Sequence, residues 1–204
     1  MTTSTSANPN APVVPPSPVA FFRPKFALYH ASPKGTGCAL KMALHPAHDT
    51  TDGSIWMTLA NQMTIGNRMG PNPTYPRFDW ENSACVKLDF NDLCKILQVF
   101  RGEIESIEDG KGLYHTSPRA TTRIVLRHLV DPVAGYSLEI YRTPRSGGED
   151  QHYHFFFNSA EACGLTEAIA DVMGFVAFGI PVVLPHDTSE YVAQERASRN
   201  AAAA

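Results

Sequence analysis

One short stretch of this chain occurs twice, and that constrains the fold more than any other feature. Leu28-Tyr29-His30-Ala31-Ser32-Pro33-Lys34 returns as Leu113-Tyr114-His115-Thr116-Ser117-Pro118-Arg119. Five of the seven positions are identical, and the last keeps its positive charge. Continued without a gap, Thr36 falls on Thr121 and Leu44 on Leu129. A match this short carries weight only because both copies lead into the same order of strands and helix.

After the first copy come runs that alternate apolar and polar residues, the period of a half-buried strand. Cys38, Leu40, Met42 and Leu44 share one side, Ile55, Met57 and Leu59 another, and Val86, Leu88 and Phe90 a third. Tyr29 lies in the strand that opens the unit. Leu93, Ile96, Leu97 and Phe100 then have helical spacing, with Asn91 placed to cap the start and Gly102 to end it. The second copy repeats this order. Strands are expected over 121–130, with Ile124, Leu126 and Val130 inward, over 136–142, with Leu138 and Ile140 inward, and over 152–157. A helix comes next on Leu165, Ile169, Val172, Met173 and Val176, opened by a capping box of Asn158 and Glu161 and stopped by Gly179-Ile180-Pro181. The expected fold is α+β: two ββββα repeats, about 21–106 and 107–181, with antiparallel sheets backed by helices. The Gly-, Pro- and Asn-rich stretch 66–79 reads as a long loop before the fourth strand of the first unit.

Residues 1–20 are Thr, Ser, Asn, Pro and Ala with little else, too few apolar groups to offset ordering entropy, so they read as a disordered arm. Residues 182–204 read as a flexible tail. The body between them, 21–181, has enough apolar residues for a proper core, at 43% over the chain. No run is apolar enough to span a bilayer and no secretory or transit segment is evident, so no membrane is expected as a partner. The four cysteines, Cys38, Cys85, Cys94 and Cys163, show no zinc-like spacing and fit a reducing, cytoplasmic setting. The net charge of -3 counts against nucleic-acid binding. However, Glu103, Glu105, Glu108 and Asp109 crowd one stretch while Lys and Arg recur on strands, so a divided surface is open.

Once the core is assigned, the residues left facing outward are informative. In the first unit they are Lys25, Tyr29, Lys41, Trp56 and Lys87, and in the second Arg123, Arg127, Tyr141 and Tyr153. Lys34 and Arg119 close the two copies of the repeated stretch. Cations for phosphates beside flat rings for bases are what a single strand needs. The structural alternative is that outward rings pack under a loop or against another subunit.

Two strand-strand-strand-strand-helix units in one chain resemble the Whirly superfamily of single-stranded DNA-binding proteins, whose plan is shared by mitochondrial guide-RNA-binding proteins and the Pur-α repeats. Lys34-Gly35-Thr36-Gly37-Cys38-Ala39-Leu40 is similar to the Lys-Gly-Lys-Ala-Ala-Leu motif of plant Whirly proteins, with the second Lys lost and one residue gained. The resemblance covers about residues 21–181 in topology and a few residues in motif. It implies sheets packed as blades with helices behind, and a homo-oligomer, dimer or tetramer, formed through helices. The apolar surface of helix 162–178, widened by Ala162, Ala168, Ala170, Phe175, Ala177 and Phe178, agrees with burial by its own domain or by partner subunits.

Other chemistry finds little support. His45-Pro46-Ala47-His48-Asp49 lacks a third evident ligand beyond Asp49, and His152 and His154 share a strand face and could chelate, although surface histidines are commoner. No Walker loop and no nucleophile elbow are present. The expectation is a non-enzyme without cofactor or metal. It binds single-stranded DNA with low sequence preference, with RNA binding or a structural assembly role as the alternatives.

Overall fold

The computed structural model describes residues 25–45, 52–67, 69 and 71–178. The expected arm and tail, the Gly179-Ile180-Pro181 stop and most of the stretch 45–49 lie outside them. The first unit comprises β1 (Lys25–His30), β2 (Cys38–His45), β3 (Ser54–Thr64), β4 (Arg77–Phe78), β5 (Ala84–Leu88) and α1 (Phe90–Phe100). A tight turn, Ile107–Gly110, leads to the second: β6 (Leu113–Thr116), β7 (Ala120–Leu129), β8 (Gly135–Pro144), β9 (Gln151–Phe157) and α2 (Ser159–Ala177). Both sheets are antiparallel. Sheet 1 runs β1-β2-β3, with β4 and β5 both paired to the far side of β3, and sheet 2 runs β6-β7-β8-β9. The protein is thus α+β, with two sheets each followed by a helix. No helix among the described residues is long and apolar enough to cross a membrane.

The fourth strand of the first unit is broken. β4 pairs with the Gln62 end of β3, and β5 pairs with Ile55 to Leu59. Residues 79–83 bulge out between the two. The loop expected over 66–79 therefore ends in a strand, and it is anchored there by Asp79 N–H donating to the Asn61 carbonyl at 2.9 Å.

Several details depart from the sequence-based reading. Leu28 pairs with Leu40, whereas Leu113 pairs with Ile124, one residue nearer in the chain. The two copies therefore fall out of step after the shared turn, and Leu44 and Leu129 are not equivalent. A one-residue slip exchanges the faces of a strand, which is why Leu44 is buried while Leu129 has the parity of Arg123 and Arg127. Val130 lies beyond the end of β7 and is exposed. α1 is capped by Asp89, not Asn91: the Asp89 carboxylate accepts from Asp92 N–H at 2.9 Å, and the Asp92 carboxylate accepts from Asp89 N–H at 3.2 Å. This capping box makes Phe90 the first helical residue and turns its ring outward rather than into the core. α2 opens on the expected box of Asn158 and Glu161.

One core serves both units. Leu40, Met57 and Leu59 of sheet 1, Leu126, Leu138 and Ile140 of sheet 2, and Leu93, Ile96, Leu165 and Ile169 of the helices belong to a single buried cluster. Two polar contacts tie the units reciprocally. His30 of the first unit meets Glu161 of α2 at 2.7 Å, and His115 of the second meets Asp92 of α1 at 3.1 Å. The histidine of each repeated stretch thus binds the capping-box acid of the other unit's helix.

The turn after the first repeated stretch is clamped by the buried Gln62. Its side-chain carbonyl accepts from the backbone N–H of Ser32 (2.7 Å) and Gly37 (3.1 Å), and its amide donates to the carbonyls of Ser32 and Thr64 (both 3.0 Å). A Cβ on Gly37 would sit 2.2 Å from the His30 carbonyl oxygen, so the clamp closes only around glycine.

Candidate nucleic-acid interface

Strand register decides which outward residues meet. On sheet 1, Lys25, Ala43, Trp56 and Lys87 form one row across β1, β2, β3 and β5. Lys41 and Thr58 lie in the next row, and Tyr29 with Ala39 and Ala60 in the one after. Five expected site residues, Lys25, Tyr29, Lys41, Trp56 and Lys87, therefore share the face turned away from the core. None of the described strand positions on that face is acidic.

The bulge at 79–83 adds rings that sequence reasoning passed over. Trp80 places its ring 4.2 Å from the Lys41 ammonium and 6.4 Å from Tyr29, and Phe78 lies 5.6 Å from Tyr29. A cation over an indole face is attracted by the ring quadrupole. Ala39 and Ala60, in the row of Tyr29, are fully buried although they point away from the core. Trp80 carried no periodic signal because it stands in an irregular stretch.

Trp56 and Lys87 also line a cleft of about 540 Å³ where the edge of sheet 1 meets the β6–β7 turn. Arg119 in that turn and Arg142 on β8 complete its cationic lining. Arg142, held by a 2.9 Å hydrogen bond to Gln151, was not anticipated. Cys85, exposed beside them, accepts a hydrogen bond from Thr58 at 3.4 Å. Lys34, the counterpart of Arg119, sits exposed in the Gln62-clamped turn.

Arg123, Arg127 and Tyr141 lie on the outward face of sheet 2, a separate surface. There Tyr114, Arg123, Tyr141 and His152 form a row. The Arg123 guanidinium lies 4.6 Å from the Tyr141 ring, which stacks on His152 at 4.6 Å and 17°. Tyr114 was legible, since it holds the repeat position of Tyr29. Glu139 stands in the next row, 3.5 Å from Arg127 and 3.2 Å from His152, and accepts a hydrogen bond from the Tyr141 hydroxyl. Partial burial would raise the Glu139 carboxyl. The hydrogen bonds from Tyr141 and His152, with the charge of Arg127, outweigh it and hold the carboxyl below its ordinary value. The bond to Glu139 in turn raises the Tyr141 phenol. This face carries its own anion and is less cationic than sheet 1.

Tyr153 is a correction. It is 3% exposed and points into the core, its hydroxyl donating to the Asn82 carbonyl. Phe155 and Phe157 occupy the inner side of β9, so a residue two positions away must take the same side. Burial raises its phenol above the ordinary value. The outward residues of β9 are His152, His154 and the half-buried Phe156, with His154 bonded to Ser137 at 3.0 Å. Among the described residues no three metal-ligating side chains converge.

The arrangement can be compared with solved structures. WHY1 and WHY3 from Arabidopsis thaliana each superpose with a TM-score of 0.59 at 15% sequence identity, covering 76% of this chain and 85% and 89% of theirs. The fold is Whirly-like. A guide-RNA-binding protein complex, solved bound to a guide RNA, also aligns, with a TM-score of 0.50 at 16% identity over 76% of this chain and 92% of that one. No protein family's sequence profile matches the chain, and no curated protein sequence does. At such identity the Whirly-like likeness speaks for the fold. The side chains on its faces must make their own case.

Proposed function

We propose that this protein binds single-stranded DNA with low sequence preference, laying the strand over the outer face of sheet 1 and into the adjoining cleft. The observation that carries the reading is that three lysines and the rings of Tyr29 and Trp56 share one pleated face whose strand positions hold no acid, with Trp80 returning over Lys41 from the bulge. Lysines answer phosphates, and rings accept any base, since every base has a flat face. The chain's net charge of -3 does not oppose this: Asp79 and Glu81 flank Trp80 in the bulge, but the strand positions of the face carry no acid, and most other described acids lie at the starts of the helices, in the turn after α1, in the β8–β9 turn and at Glu139. Arg123, Arg127, Tyr114 and Tyr141 form a second, weaker platform on sheet 2.

The test is fluorescence anisotropy with labelled oligo-dT at low salt, beside a duplex of equal length. Tighter binding to the single strand is expected, falling steeply with salt. Affinity no better than for the duplex would overturn the reading. Trp56→Ala should weaken binding by about 1–3 kcal/mol. Lys87→Ala should flatten the salt slope by about 0.7. RNA is the second reading, favoured by the guide-RNA-bound neighbour; a matched RNA oligonucleotide binding tighter than the DNA would select it. Assembly into a homo-oligomer through α2 is part of the proposal. Only Ala162, Leu165, Ile169 and Val176 of that helix are fully buried within the chain, while Ala168, Phe175 and Phe178 face outward. Light scattering returning the monomer mass would remove this part.

A further inference from the structure

The two units differ most at one hairpin. In the second, β8 and β9 are joined by the short turn 145–150. In the first, the corresponding connection is a longer arm, residues 63–77, from the end of β3 to the start of β4. The fold does not require this arm, since the second unit closes without it. Described residues along it are nevertheless hydrogen-bonded to one another. Thr74 N–H donates to the Asn67 carbonyl at 2.7 Å, Asn67 N–H to the Thr74 hydroxyl at 2.9 Å, and Arg77 N–H to the Thr64 hydroxyl at 3.1 Å. Pro71, Pro73 and Pro76 stiffen the returning limb.

Its surface is unusual. Met63, Ile65, Met69 and Tyr75 are 53%, 56%, 89% and 72% exposed, four large apolar side chains turned to solvent along one short segment. Residues 53–78 contain two arginines, Arg68 and Arg77, and no Asp or Glu. At its root, Ile65 packs within 3.6 Å of the Gly35 Cβ position, in the turn that carries Lys34, and Phe78 joins the ring cluster of Tyr29. The arm is therefore continuous with the proposed binding face and extends its composition of cations and rings without an acid.

Resting on the nucleic-acid reading, we propose that this arm is a second grip on the same single strand. It takes nucleotides beyond those held on sheet 1, with Tyr75 as a stacking ring and Lys34 and Arg77 as phosphate partners. A polyanion with flat bases fits an acid-free, ring-bearing surface. A protein strand adding to the arm's edge fits poorly, because prolines remove the backbone donors that such pairing needs. Preformed order lowers the cost of ordering on binding.

The test measures affinity against oligo-dT length, over about 4 to 16 nucleotides and beyond, for the wild type, Tyr75→Ala, and a variant with 67–74 replaced by Asn-Gly. Tyr75 is exposed, so its truncation leaves the fold intact even where the shortened arm does not. Wild-type affinity should climb with length and then level off. Both variants should match it on the shortest strand that binds and lose about 5- to 150-fold on long ones, the equivalent of one stacked base. Equal affinity of variants and wild type at every length would overturn the arm's role and leave sheet 1 binding intact. A loss of equal size at all lengths would also overturn it, placing the arm within the primary footprint. A wild type that binds no strand of any length would sink the underlying reading and this one with it. A change of oligomeric mass in the arm variants, with unchanged oligonucleotide affinity, would replace the proposal with a protein contact.

Discussion

At the scale of single residues, charge placement matters more than charge total. Glu139 is the one acid among the described outward strand positions of the two sheets, and it neutralises part of what Arg127 and His152 offer. On the proposed reading, its carboxylate competes with a phosphate for these two cations. Glu139→Gln should therefore raise affinity for oligo-dT about two- to fivefold at low salt, as expected for a surface charge interaction of up to about 1 kcal/mol. The gain should vanish at high salt, where exposed charges are screened. Anisotropy titrations at two salt concentrations read this directly; an unchanged affinity would show that sheet 2 takes no part in binding, and a lowered one that Glu139 does not act by repelling the strand. Trp56 and Lys87 belong to the same scale. Their place on one face was legible from period-two alternation, because each has apolar neighbours that commit the strand's other side. Tyr153 was misread for the same reason in reverse: the phase of β9 is set by Phe155 and Phe157, and Tyr153 follows them inward.

At the scale of elements, each helix is docked by a histidine from the other unit. The His115 pair is the more informative. The hydrogen bond to Asp92 raises the imidazole above its ordinary value of 6.5, against the opposing effect of burial, and the charges of Asp92 and Asp89 reinforce it. A histidine whose folded value exceeds its unfolded one stabilises the fold fully below the unfolded value and loses that contribution as pH rises through the folded one. The melting temperature of His115→Gln should therefore fall below wild type most clearly in mildly acid solution, with the gap closing as the solution turns alkaline. A gap that is constant with pH would mean the imidazole contributes by packing alone. The helices themselves were legible from spacing, and α2 also from its capping residues. Their partners were not, since His30 and Glu161 stand 131 residues apart in the chain.

At the scale of the whole molecule, a core shared between sheets and helices makes the two units one folding body. Phe155 shows this. It is fully buried on β9 of the second unit, and its ring stacks on His30 of the first at 4.3 Å. Phe155→Ala should cost about 3–5 kcal/mol, the range for an aromatic removed from a packed core. The loss should appear as one cooperative transition shifted to lower denaturant, read alike by tryptophan fluorescence, whose two reporters, Trp56 and Trp80, both lie in the first unit, and by far-UV circular dichroism, which averages over both. Two separated transitions would show that the units fold independently.

The sequence alone determined the duplicated order of strands and helices, the capping of α2, and the placement of Lys25, Tyr29, Lys41, Trp56 and Lys87 on one face. These arise from local rules, since backbone geometry gives strands a period of 2 and helices one of 3.6 whatever lies beyond them. Only the tertiary structure decided that Trp80 returns over Lys41, that Arg119 comes to the cleft beside Trp56, and that Arg123, Arg127 and Tyr141 form a separate surface. Those outcomes depend on how far one strand slides along another and on which helix covers which sheet. Contacts between residues distant in the chain settle both, and no local pattern records them.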